Sequence, residues 1–353
     1  MTDVAALAGV SHQTVSRVIN KHPSVRPTTR VRVLTAIEEL GYRPNSAARA
    51  LKTGRTQTLG VVSLNSTLYG PASTLYGIEQ AALTCGYFVT VASLRATDRL
   101  AVRQAIDRLV DQGVAGVVVI APLVSVAEAL ADLPADLPVV AVEGDADADV
   151  DVVTVDQHSG AAAVTAHLLA LGHATVWHVS GPLDWLEARQ RRAGWRATLE
   201  AADAEVPPPV SGDWSARSGR EAGQLLARMP EVTAVFVAND SMALGVLRAL
   251  REHGRRVPAD VSVAGFDDIP EAAYLDPPLT TVRQDFGEVG RRSLALLLHQ
   301  IEHGARALAR QRIVVPSEIV VRESTGLPGK LGLVHDVDQV YTATTGESTG
   351  GDR

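Results

Sequence analysis

Residues 3–20 read DVAALAGVSHQTVSRVIN. Val4, Ala5 and Ala8 recur at helical spacing, which predicts a short helix over Asp3–Ala8. Gly9 follows, and a residue without a Cβ lets the backbone turn with positive φ. Val10 can then plug a small core, and the Ser11 hydroxyl is suited to cap the next helix. That helix is expected from about His12 to Ile19, with Val15, Val18 and Ile19 inward and Asn20 at its end. A small Ala5, a turn at Gly9 and a branched Val15 are what two tightly crossed helices require. The stretch therefore reads as a helix-turn-helix.

Working outward, a third helix is predicted from about Thr28 to Leu40, with Pro27 near its start and Gly41 as its stop. Val31, Leu34, Ile37 and Leu40 are expected to form its apolar stripe. Three such helices present the second one to a DNA major groove. His12, Gln13, Thr14 and Arg17 stand at the exposed start of that helix, with Asn20 at its end. Gln pairs bidentately with adenine and Arg with guanine. The plain alternative is a generic bundle with a polar surface. Charge argues against it: residues 1–58 carry nine Lys/Arg and three acids, a net +6, against −7 for the whole chain, so the remaining residues carry −13. A small basic unit on an acidic body suggests a polyanion contact at one end. After Pro44, the segment NSAARALKTG (45–54) offers Asn45 as a cap and Gly54 as an end. A helix this short forms only against a partner. Leu51 has no local core to enter, and such a side chain can wedge between base steps in the minor groove. Asn45, Ala48 and Leu51 are its expected DNA-facing residues. The alternative is a plain linker.

The opening string, then Arg43-Pro44-Asn45, Ala48-Arg49-Ala50-Leu51 and Leu59-Gly60-Val61-Val62, resemble the LacI/GalR family of bacterial repressors. The resemblance implies hinge helices that pair within a homodimer, with Leu51 opening the centre of a palindromic operator in double-stranded DNA. Family members carry several more residues ahead of this point, including a Thr or Ser that caps the first helix. The expectation is that the native start lies upstream of Met1. An intact mass of the native protein that begins at Met1 or Thr2 would refute it.

The rest of the chain alternates apolar strand candidates with helices. Strands are expected at 59–64, 87–93, 116–120, 139–142, 152–155, 175–180, 234–238 and 261–266. Helices are expected at 74–85, 100–112, 158–171, 189–201, 216–228 and 240–252. Continuous apolar strands between helices imply parallel sheet covered on both faces. Two such units in tandem give two lobes, and ligands bind beyond the carboxyl ends of the strands. The fold class is therefore α/β: an all-α helix-turn-helix headpiece plus a two-lobed sensor of Rossmann-like parallel sheets, of the periplasmic-binding-protein type. The chain is expected to cross between lobes near Asp156, Gln284 and Val315. An enzyme is disfavoured. The dinucleotide fingerprint, the phosphate-binding loop and the metalloprotease helix are all missing from the sequence.

Polar and aromatic residues at predicted strand ends are candidate ligand contacts: Trp185, Trp214, Asn239, Asp267, Gln284 and Phe286. Planar hydrogen-bonding groups beside aromatic faces complement a sugar, which carries hydroxyls around a ring with an apolar C–H face. The resemblance covers this body as well, through Gly172-His173, Ala188-Arg189, Ala193-Gly194-Trp195, GDWSA (212–216), VANDSMALG (237–245), PPLTT (277–281) and QDF (284–286). It implies that Arg189, Asn239 and Asp267 bind sugar hydroxyls, that Trp214 and Phe286 pack on the ring, and that Gln284 assists. Two departures bear on the sugar. Glu143 stands where the family pattern has a shorter acid. Trp185 adds an aromatic that could stack on a second ring, favouring a disaccharide or glycoside. Trp195 is expected in helix packing, and a salt bridge is the alternative for Arg189. On this reading Arg189→Ala loses the sugar response and keeps operator binding, while a polar residue at Leu51 does the reverse.

The expected domains are a DNA-binding unit over 1–44, a hinge and linker over 45–58, a sensor over 59–325 and a disordered tail over 326–353. Without a heptad in that tail, a dimer is expected rather than a tetramer. The lone Cys85 rules out an internal disulfide or a cysteine zinc cage and fits a reducing cytoplasm. No cofactor, membrane span or secretion signal is expected. The expected function is a repressor released from DNA by a small sugar. The alternatives are a co-repressor protein that responds to a purine-like metabolite, and a sugar-binding module with no DNA role.

Overall fold

The computed structural model describes residues 1–19, 22–42, 56–64, 67–94, 99–120, 123–131, 133–134, 136–144, 149–305 and 309–329. The expectations for Asn20, Asn45, Ala48 and Leu51, for the hinge helix and for the tail from Lys330 onward lie outside the described residues.

The headpiece is three helices, α1 (Thr2–Ala8), α2 (His12–Ile19) and α3 (Pro27–Glu39). They close on Val4, Ala8, Val15, Val18, Val33 and Ala36. Gly9 ends α1 with φ 57°, a conformation that side chains resist. Ser11 caps α2 by accepting the Thr14 N–H at 3.2 Å. The third helix is rotated from its expected phase. Val31, Leu34 and Leu40 are exposed, and Val33, Ala36 and half-buried Ile37 face inward. Two features fix that rotation. Small Ala36 permits close approach, and the Arg32 guanidinium donates to the Ala8 carbonyl across the α1–α3 contact.

The first lobe alternates β1 (Thr58–Leu64), α4 (Tyr69–Thr84), β2 (Phe88–Leu94), α5 (Arg99–Asp111), β3 (Val117–Ile120), α6 (Val124–Ala131), β4 (Val139–Val142) and β5 (Asp151–Val155). The second comprises α7 (Gln157–Ala170), β6 (Trp177–Ser180), α8 (Leu186–Ala201), β7 (Val210–Ser211), α9 (Ala216–Leu226), β8 (Ala234–Val237), α10 (Asp240–Glu252), β9 (Ser262–Ala264) and a 3-10 turn, Pro270–Tyr274. Then come β10 (Thr281–Gln284), α11 (Phe286–His303), β11 (Arg312–Val315) and β12 (Ser317–Val320). Strand order is β11-β5-β4-β3-β1-β2 in the first sheet and β7-β6-β8-β9 in the second, with parallel pairings throughout both. β3, β4 and β8 are buried from end to end, as fully apolar strands between helix layers should be, and so is β5 although it carries Asp151 and Thr154. β2 departs from that pattern. It lies at a sheet edge with Phe88 70% exposed.

The chain crosses between lobes at three places: β5 to α7, β10 to α11, and β11 to β12. These are the crossings expected at Asp156, Gln284 and Val315. β10 and β12 pair antiparallel; neither strand stands out in the sequence, because both are short and begin or end at a crossing. Side chains stitch the crossings together. Gln157 Nε2 donates to Gln284 Oε1 at 2.9 Å, and the Ser317 hydroxyl donates to the Asp156 carbonyl at 2.9 Å. The ordered body also runs past the expected end at Thr325. The Gly326 N–H donates to the Ser262 hydroxyl at 3.0 Å, and the Gly326 carbonyl lies 3.0 Å from Nε2 of buried His173.

Candidate functional site

Two faces gather functional side chains. On the headpiece, His12, Gln13 and Arg17 are exposed on α2. Thr14 is half-buried, with its hydroxyl 2.9 Å from Ser11 Oγ. The inward positions of the same helix, Val15 and Val18, are held in the core, so the polar residues must point outward. The geometry is a short helix with a capped start and an exposed polar N-terminal half.

Between the lobes lies a narrow cleft with a cavity volume of about 40 Å³, well below the usual size of an open small-molecule site. Trp185, Glu187, Arg191, Trp214, Asn239, Asp267, Gln284 and Phe286 line it, with Tyr69 from the first lobe. All but Arg191, which lies in the second turn of α8, stand at or next to the end of an element. Trp185 precedes α8, Asn239 caps α10 and Asp267 follows β9. Asn239 Oδ1 accepts the Met242 N–H at 2.9 Å, and its amide donates to the Trp214 carbonyl at 3.2 Å. The Trp185 and Trp214 rings meet edge to face with centroids 5.7 Å apart. Phe286 and Tyr69 make a second such pair at 5.8 Å.

The structure corrects one expected contact. Arg189 is exposed, and its Nε donates to the Leu183 carbonyl at 2.5 Å. Arg191 takes the cleft instead. Helix α8 starts at Leu186, three residues earlier than expected, and its buried face runs Ala188, Arg191, Trp195, Leu199. Arg189 is therefore about 100° off that face. Arg191 Nε donates to Gln157 Oε1 at 2.8 Å, and Nη1 donates to the Ala238 carbonyl. The guanidinium lies 3.4 Å from Asp267 Oδ1 and stacks 3.9 Å above the Phe266 ring. Gln284 Nε2 donates to Asp267 Oδ1 at 2.7 Å. Gln157, Arg191, Asp267 and Gln284 thus form one buried array. Trp195 packs as expected, buried, with its indole N–H on the Val176 carbonyl at 2.8 Å.

Glu143 is buried at the end of β4, accepting the Thr154 hydroxyl and the Val155 N–H, each at 2.8 Å. Burial raises its pKa. Burial likewise pushes Asp267 up to about 6 against the pull of Arg191. Glu187, in the first turn of α8, is pushed well up by burial and by the nearby Glu143 charge. Arg191, Glu187, Gln157 and Tyr69 were missed in the sequence. The spacing of Arg191 from Ala188 and Trp195 is the signal that could have found the first of them. Glu143, Trp214 and Asp267 have φ of 58°, 72° and 115°, in the left-handed region that ordinary residues avoid. Such strain gathers at functional sites.

Asp240, beside the cleft, accepts the Thr281 hydroxyl at 2.6 Å and the Ile269 N–H at 2.9 Å. Burial, and then the Asp267 charge, raise its pKa to about 8. In the unfolded chain an aspartate titrates near ~3.9. Between those values the unfolded chain has released a proton that the folded chain still holds. Through this group stability therefore falls as pH rises from about 4 to about 8. Asp240→Asn should remove that fall, so the melting temperature of the variant gains on the parent between pH 5 and pH 8. A constant difference across that range would show that Asp240 does not titrate there.

The chain matches the model of "Bacterial regulatory proteins, lacI family" over residues 1–45, and a "Periplasmic binding protein-like domain" over residues 165–325. It is 35% identical over 332 residues to the lactose operon repressor of Escherichia coli K12, covering 92% of this chain and 90% of that one. It is 32% identical to the HTH-type transcriptional repressor PurR of Haemophilus influenzae (strain PittEE), covering 91% and 97%. Among solved structures, the lac repressor dimer bound to operator and the anti-inducer ONPF matches with a TM-score of 0.81 at 34% identity, covering 92% of this chain and 98% of that one. A complex of the transcriptional regulator CelR with cellobiose matches at 0.69 and 35%, covering 91% and 98%. Among the described residues no helix is long and apolar enough to cross a membrane.

Proposed function

Because this chain belongs to the lacI family of bacterial regulatory proteins, DNA-binding transcriptional repressors with small-molecule effectors, we propose that its effector is a small sugar, a β-glycoside or disaccharide. The observation that carries this reading is the edge-to-face pair of Trp185 and Trp214 beside the buried Arg191–Asp267–Gln284 array. The aromatic faces suit sugar C–H surfaces, and the array suits ring hydroxyls. The cellobiose bound by the CelR regulator is a β-linked disaccharide and supports the same class. In this reading Trp214, Phe286, Asn239, Asp267, Gln284 and Arg191 hold one ring, and Trp185 faces the second.

The proposed assembly is a homodimer on a palindromic operator. Gln13 and Arg17 read base edges, with His12, Thr14 and Asn20 alongside; Leu51 wedges into the minor groove, with Asn45 and Ala48 as further DNA-facing residues. Exposed Leu225, Leu244 and Tyr274 on the second lobe supply apolar surface for a partner. Sedimentation should give a dimer, and a stable tetramer would contradict it. The sugar acts by preferring one lobe arrangement over the other, since only differential affinity shifts an equilibrium. Sugar and operator then weaken each other's binding by the same factor.

The test is binding to the DNA upstream of the protein's own gene at fixed salt, with and without β-glucosides, β-galactosides and purines. Release by a sugar is the expected result. Tightening by a purine would instead favour a co-repressor, a reading that the PurR relative supports.

A further inference from the structure

The polar groups of the cleft are largely engaged with one another. Arg191 is bonded to Gln157 and Ala238 and paired with Asp267. Asp267 and Gln284 are bonded to each other, and both faces of the Asn239 amide are taken by backbone. Glu143 holds Thr154 and Val155. Two cleft groups stand apart. Among the described residues, the Glu187 carboxylate makes no hydrogen bond or ion pair. The Trp214 side chain is 6% exposed, and its buried indole N–H has no partner. One is a strong acceptor and the other a donor. A hydroxyl group can donate to the first and accept from the second.

Charge narrows the ligand further. Glu143 faces Glu187 from the end of β4, Asp267 from the turn after β9, and Arg191 from the same helix. Three carboxyl groups thus surround one guanidinium, and that guanidinium is already paired. An anionic ligand would find no unpaired cation there, and burying an unpaired charge is costly. We propose that Glu187 is a specificity-determining residue of this cleft. Its carboxylate, with the Trp214 indole N–H, reads hydroxyl groups of an uncharged sugar, and the acidic surround excludes sugar acids and sugar phosphates. Burial and the nearby Glu143 charge raise the pKa of Glu187 against the pull of Arg191.

This rests on the sugar reading, and the experiment separates the two. Calorimetric titration of the full-length protein would use phenyl β-glucoside and phenyl β-galactoside, each against its uronic acid counterpart, and then repeat both with Glu187→Gln. The parent should bind a neutral glycoside at least about 100-fold more tightly than its acid. The variant should lose about 10- to 100-fold for the neutral sugar, the range for a hydrogen bond to a charged group. It should also discriminate less against the acid. Retained operator binding by the variant shows that it is folded. A uronic acid bound within threefold of its neutral partner by the parent would overturn the proposal, as would a variant with unchanged affinity and discrimination. Failure of the parent to bind either neutral glycoside would remove the β-glycoside reading itself, and this inference with it.

Discussion

Arg191→Ala is expected to abolish the effector response while the unliganded protein keeps its specific DNA binding. Arg191 ties Gln157 at a lobe crossing to Asp267 in the second lobe, and it stacks on Phe266. Removing it leaves the Asp267 carboxyl buried without its cation. Breaking a buried pair in this way costs roughly 3–5 kcal/mol. Any ligand bonded to that array loses its polar platform, so effector affinity should fall by at least about 100-fold, the equivalent of two 1.4 kcal/mol steps. The headpiece has its own core of Val4, Val15, Val18 and Val33 and makes no use of Arg191. Titration of an operator complex with sugar is the measurement. Arg189→Ala is the matched control, since that side chain is exposed, and it should respond like the parent. If the two variants exchanged behaviours, the assignment of the cleft cation to Arg191 would be wrong.

Gly194→Val should lower the melting temperature through backbone overpacking. Gly194 sits where α8 crosses α7, and a Cβ there would penetrate the His158 carbonyl oxygen and press on Ala161. Both obstacles belong to a neighbouring helix, and the first is backbone, so neither can swing aside. Overpacking of this kind costs about 1–3 kcal/mol, and more where backbone must move. Melting should fall by roughly 10 °C if the loss reaches ~3 kcal/mol, at 2–4 °C per kcal/mol for a unit of this size. The same displacement pulls Arg191 away from Gln157, so effector affinity should fall even where the variant remains folded. Gly254→Ala is the control: φ is 72°, but the added methyl would meet nothing within 4 Å, so only backbone strain of about 1 kcal/mol should appear. Equal melting temperatures for the two variants would refute the packing argument.

Much of this was legible beforehand because the headpiece and the sheets are written in local patterns. Gly9 and Ser11 signalled the turn and the cap, and apolar runs signalled the buried strands. The phase of α3 was not legible. Its sequence offers two overlapping apolar stripes, and the choice of Val33 and Ala36 over Val31 and Leu34 is made by contact with α1. The cleft cation was misplaced for a related reason. Arg189, Arg191 and Arg192 lie within four residues, and only the true start of α8 decides which of them shares a face with Trp195. The cleft positions of Trp185, Trp214, Asn239, Asp267, Gln284 and Phe286 were legible because each follows or precedes a strand or helix end, next to the gap between the lobes.

The positive φ values of Glu143, Trp214 and Asp267 carry a consequence for how the protein can change over generations. Each conformation costs on the order of 1–3 kcal/mol in a residue with a side chain. Glycine at any of the three would relieve that cost, but at Trp214 or Asp267 it would remove a cleft side chain in the same step, and at Glu143 the acceptor for Thr154 and Val155 behind the cleft. Heat resistance and the capacity to be switched off are therefore opposed at these positions. A population selected for survival of the fold alone would drift toward regulators that no longer respond to their effector, and continued exposure to that effector is what keeps the strained residues in place.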